Sequence, residues 1–230
     1  MADVARSLYL RGAFLAYDPG TYPGTGPTRR IPFRFNPETL SRSLSVEQAQ
    51  SDSGAATGST TAEGSSGDAA SGVVKESFTV QVRFDFDDRE EANSALDPTL
   101  GVLPEIAALE DLLHPPESAT SANSDGQEGV APRPERCTVL FVWGMKRVMP
   151  VRITSMNVNE TMFNALLNPV RAEVDVSLEV LGESDARNSN AVRDALAFTA
   201  SKRREMARMY YEAPAAQTTL YPDFGSQETS

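Results

Sequence analysis

The chain has 230 residues, 40% of them hydrophobic, with one cysteine, one histidine and a formal net charge of −11. A single cysteine excludes an internal disulfide, and the lone His114, with no cysteine nearby, argues against a zinc site. So acidic a balance argues against nucleic acid as a partner, since a phosphate backbone is bound by basic surfaces. No apolar run reaches the ~20 residues of a membrane-spanning helix, so no membrane insertion is expected. The first residues lack the apolar stretch of a secretory leader, so the protein is expected to be made and kept in the cytoplasm or to leave by a route that needs no signal.

Leu8 to Tyr17 reads as a first strand, with Leu8, Leu10, Phe14 and Ala16 in step. Asp18-Pro19-Gly20 is a turn. Arg29 to Phe35 reads as a second strand with Ile31, Phe33 and Phe35 in step, and Pro32, which has no N–H to donate, places it at an edge or a bulge. Asn36-Pro37 ends it, and residues 38–44 are expected to turn away with Leu40 and Leu44 available to pack. Residues 48–72 are nearly all small or polar and are expected to form a flexible loop.

Glu76 to Asp87 is the strongest strand signal. Phe78, Val80, Val82, Phe84 and Phe86 fall on one side; Ser77, Thr79, Gln81, Arg83, Asp85 and Asp87 fall on the other. Val170 to Val180 repeats the pattern, with Arg171, Glu173, Asp175, Ser177 and Glu179 on its polar side. Antiparallel sheets with one solvated face alternate in this way. Between these strands, Leu103 to Leu113 reads as a short helix with Ile106, Leu109 and Leu113 in one stripe. A second flexible loop is expected over 117–136, and Cys137 reads as a small buried hydrophobe.

Thr138 to Trp143 is apolar on both faces and predicts a strand covered on both sides. Residues 144–147 make a tight turn, and Val148 to Val158 returns with a phase shift between Ile153 and Met156, the mark of a β-bulge. Residues 159–168 are expected to link onward with Phe163, Leu166 and Leu167 as anchors. Asp185 to Tyr210 predicts a helix capped by Ser189 or Asn190, carrying a basic cluster at Lys202, Arg203 and Arg204 suited to its own C-terminal dipole or to an acidic neighbour. Residues 213–230 read as a tail. The carboxylates Asp85, Asp87, Asp88, Glu90 and Glu91 lack the spacing of a calcium loop and read as a solvated face. No phosphate loop or nucleophile elbow is present, and nothing singles out a catalytic pair, so no enzyme, cofactor or metal is expected.

Five blocks carry a family likeness. Ile31-Pro-Phe-Arg-Phe-Asn-Pro-Glu-Thr-Leu-Ser-Arg-Ser43 resembles the opening of tube-type proteins of contractile injection systems. The resemblance returns at 76–85, at 100–116, at 139–144 with 148–155, and at 167–178. It implies a fold that is mainly β with α: an antiparallel β-barrel or sandwich of phage tail-tube type over residues 1–182, with one packed helix, then a C-terminal helix over 185–212. It also implies a hexameric ring, here similar to the branch that joins the inner tube to the spike at the baseplate hub. The expected partners are other copies, the inner tube protein, the spike or hub protein, and baseplate or sheath components. That branch often carries a LysM domain after the tube domain, and this chain is expected to lack one. Interface or structural roles are expected for Phe33, Phe35, Asn36 and Pro37, for Arg83 and Asp85, for Trp143 and Asn168, for Arg171, Glu173 and Asp175, and for Arg203. The competing expectation is a monomeric β-sandwich that binds a cell-wall glycan or a protein ligand.

Overall fold

The computed structural model describes residues 10–24, 26–33, 35–47, 73–88, 96–114, 136–187 and 189–213. The two expected flexible loops and the tail lie outside these, apart from Arg136 and the tail's first residue. Seven strands form a single antiparallel sheet: β1 (Ala13–Tyr17), β2 (Arg29–Pro32), β3 (Leu40–Glu47), β4 (Val73–Asp85), β5 (Thr138–Trp143), β6 (Arg147–Phe163) and β7 (Pro169–Val180). Their spatial order is β2-β1-β5-β6-β7-β4-β3. The described residues also form three α-helices: α1 (Leu103–Asp111), α2 (Glu183–Ala186) and α3 (Asn190–Tyr211).

The sheet folds over on itself. Phe78 on β4 lies 5.9 Å, ring centroid to centroid, from Phe141 on β5, although β7 and β6 separate those strands in the sheet order. The long β6 makes this possible by serving two neighbours in succession. Its first residues, 147–151, pair with β5, and residues 151–163 pair with β7. The register shifts between Ile153 and Ser155, where the phase change in the sequence places a bulge. One half of the sheet is therefore β2, β1, β5 and the start of β6; the other is the rest of β6, β7, β4 and β3.

The core between the halves is aromatic. Phe14, Phe33, Phe78, Phe84 and Phe141 are essentially fully buried; α1 adds Ile106 and Leu109, and Leu112 follows just past its end. Arg29 fixes that helix to β2 through a 3.0 Å ion pair to Asp111. The edge strands β2 and β3 do not pair with each other, so the sheet is neither a closed barrel nor two separate sheets. Residues 33–39 run between the two edges, a segment that spans at most about 25 Å when extended. Asn36 clamps it: its Oδ1 accepts from Gly12 N–H at 2.9 Å and its Nδ2 donates to the Leu10 carbonyl at 2.9 Å.

The outer side of β5 and early β6 is covered by α3, which explains why β5 is apolar on both faces. Val139 and Phe141 point into the core, while buried Leu140 lies on the other face, where Ala191, Val192 and Ala195 of α3 pack. Ser189 caps α3, accepting from Val192 N–H. Thr199 bonds twice to β6, accepting from Val148 N–H at 3.2 Å and donating to Val148 O at 2.7 Å. Replacing Thr199 with Val removes both bonds at nearly constant volume, and chemical denaturation is expected to register a loss of about 1 kcal/mol.

Several expectations need correction. Residues 40–47 do not turn away; they form β3, paired with β4 along its whole length. The alternation of Ser41, Ser43 and Ser45 with Arg42, Leu44 and Val46 is that of an edge strand with little side-chain burial. The strand from Arg29 stops at Pro32, and Phe35, expected in step with the core, is 44% exposed because the chain has already left the sheet. Leu10 is exposed as well. Phe163, Leu166 and Leu167 are not anchors: they project from the β6–β7 tip, 53%, 65% and 79% exposed. The expected helix from Asp185 is two, α2 and α3, separated by residues 187–189.

Candidate assembly surface

The ladder pairings fix which side chains share the outer face of the second half. β4 and β7 pair Ser77 with Glu179, Thr79 with Ser177, Gln81 with Asp175, Arg83 with Glu173 and Asp85 with Arg171. The polar sides of the two strands read from the sequence are thus one surface. Two neighbours extend it. β3 sets Ser41, Ser43 and Ser45 beside Thr79, Ser77 and Lys75. Beyond the bulge, β6 sets Ser155, Asn157, Asn159 and Thr161 beside Ser177, Asp175, Glu173 and Arg171. The result is a hydrophilic wall four strands wide, and none of the described helices packs on it.

Charge on the wall is mixed: Lys75, Arg83 and Arg171 stand among Asp85, Glu173, Asp175 and Glu179. Gln81 Nε2 donates to Asp175 Oδ1 across the strands at 3.0 Å. Asp85 is the exception to the solvated reading of its face, with a side chain only 4% exposed. Arg171 donates to it through Nη2 at 2.6 Å and Nε at 2.7 Å, Arg83 Nη2 at 3.2 Å, and the Asp87 N–H at 3.3 Å. Burial alone would push this carboxyl up; the bonds from Arg171, Arg83 and Asp87 outweigh it and hold the group below its usual range. Phe35 lies against the same cluster, its ring 5.7 Å from the Arg83 guanidinium carbon.

Five of the expected residues, Arg83, Asp85, Arg171, Glu173 and Asp175, come together on the wall, with Phe35 at its margin. The others are dispersed. Phe33 is fully buried, and half-buried Trp143 lies 6.5 Å from it. Asn36 and half-buried Pro37 belong to the connection between the sheet edges. Asn168 ties the β6–β7 tip to the segment before α1 by donating to Thr99 O at 2.7 Å. Arg203 reaches Glu76 at the start of β4 at 3.2 Å. The β3 serines and Asn157 and Asn159 were not singled out in the sequence, although the two-residue period of Ser41-Ser43-Ser45 and Asn157-Asn159 is the signal that finds them. Cys137 is half-buried, and burial pushes its thiol up, away from reactivity.

The family model for contractile injection system tube protein matches residues 15–189, from β1 through the wall to the segment before α3. The chain belongs to the contractile injection system tube protein family. None of the curated proteins matches it. The matched span contains all four strands of the wall. Helix α3 lies beyond the matched span.

Proposed function

We propose that this tube protein forms a hexameric ring between the inner tube and the spike at the baseplate hub, with the wall of β3, β4, β7 and β6 lining the channel. The observation that carries this reading is the wall itself: four adjacent strands, polar and of mixed charge on one face, packed against an aromatic core on the other. Such a face stays wet without a cover, and its mixed charges neither trap nor repel a passing cargo of one sign. Edges at β2 and β3 that are unpaired among the described residues suit a ring, because neighbouring copies cover backbone groups that a lone subunit leaves open. The position next to the spike rests on the resemblance of the five sequence blocks to that branch of the family. In this reading the subunit is made in the cytoplasm and built into the particle there, and its role is structural rather than catalytic.

A density map of the assembled contractile particle tests this. The expected result is one ring of six copies at the junction of tube and spike, with Gln81 and Asp175 facing the channel. Copies repeating along the whole tube would remove the adaptor role. A ring with Gln81 and Asp175 on its outer surface would remove the channel assignment.

A further inference from the structure

The stripe by which α3 packs on the sheet outlasts the sheet. Val192, Ala195 and Thr199 are buried; Met206, Met209 and Tyr210 continue the same stripe at helical spacing but are 41%, 58% and 68% exposed. The support beneath ends at the β5–β6 turn, where Lys146 reaches Glu205 at 3.4 Å. The last six residues of α3, about 9 Å of helix, overhang that turn.

Facing the overhang, the start of β4 and the end of β3 run past the end of β7 and pair only with each other. Their core-side residues Leu44, Val46 and Val74 are 51%, 68% and 56% exposed. The two walls are joined at the base by Glu76, which accepts from Arg203 of α3 at 3.2 Å and from Arg42 of β3 at 2.6 Å. The interior of the fold therefore opens at this end into an apolar cleft with a charged floor.

At the opposite end of β7 stands an apolar knob, the β6–β7 tip with Met162, Phe163, Leu166 and Leu167, all more than half exposed. The charges near the two features differ in sign. Residues 202–212 carry Lys202, Arg203, Arg204 and Arg208 against Glu205 and Glu212. The tip, with the segment that Asn164 and Asn168 bind, carries Asp97 and Glu160 and no cation over 96–102 and 159–169.

We propose that the cleft beneath the free end of α3 receives the β6–β7 tip of a second copy of this chain. This rests on the reading of the protein as an assembling tube-type subunit and names the surfaces by which copies join. Knob and cleft are different surfaces of one molecule; used once per pair of copies the contact is heterologous and closes into a ring or propagates according to the rotation it imposes, whereas used reciprocally it closes a twofold dimer.

The test uses full-length protein with Cys137→Ala, prepared once with Leu166→Cys and once with Met209→Cys, and oxidised mildly at high concentration and within particles. A disulfide requires Cβ atoms about 4 Å apart. The expected result is a cross-linked dimer in the mixture and none in either preparation alone, abolished by Arg204→Glu with Arg208→Glu and recovered on adding Glu160→Lys to the tip. Dimers from Met209→Cys alone would mean that helices pair with each other, overturning the proposal. A thiol at 209 that stays unlinked and protected in the monomer would assign the cleft to the chain's own segments; one that stays unlinked and reactive would leave it without an occupant. Either outcome overturns the proposal. These arms are independent of the ring's place in the particle, so a particle map without the junction ring ends the earlier reading alone.

Discussion

Phe141→Ala is expected to destabilise the protein by about 3–5 kcal/mol, as truncation of a buried Phe does when the cavity stays open. Phe141 lies within ring-contact distance of Phe14, Phe78 and Trp143, at centroid separations of 5.6, 5.9 and 5.9 Å, with Phe33 at 6.2 Å. These rings come from both halves of the folded-over sheet, so removing the central one loosens the halves from each other. A domain typically has about 5–15 kcal/mol in total. The variant should therefore unfold at much lower denaturant, with near-ultraviolet dichroism lost early. An unchanged midpoint would mean that the halves do not depend on this contact.

Asp85→Ala is expected to cost about 2–3 kcal/mol, the upper range for hydrogen bonds to a charged group. The figure is held down because Arg171 and Arg83 are 35% and 47% exposed and regain water when the carboxylate goes. The pH dependence is specific. The folded carboxyl lies below its usual range, so its stabilising contribution is complete above the unfolded value of about 3.9 and is lost as pH falls through the lower folded value. The wild-type protein should lose stability across that acid interval, and Asp85→Asn should flatten the loss. Equal acid slopes for the two proteins would show that Asp85 does not bind its arginines more tightly than solvent.

The three longest strands, β4, β6 and β7, are written in two-residue alternation, and β5 in continuous apolarity, and those parts of the fold were legible. The bulge in β6 was legible because it moves the apolar set from Ile153 to Met156. β3 was not, because as an edge strand it buries little, so its alternating Leu44 and Val46 are weakly constrained. Phe163, Leu166 and Leu167 misled for the converse reason: apolar type does not by itself imply burial, and at the β6–β7 tip these side chains stay exposed. The wall was half legible. Alternation gives the face of each strand, but the register that joins Gln81 to Asp175 and Asp85 to Arg171 depends on non-local pairing, which no local pattern carries.

Strand β6 has a mechanical consequence. It is one continuous backbone from Arg147 to Phe163 that is stitched to β5 at one end and to β7 along the rest. Tension applied along it loads the cross-strand bonds in shear and in parallel, since they lie perpendicular to the strand. Rupture then requires many bonds to fail together instead of one after another, which makes this strand the tendon of the subunit.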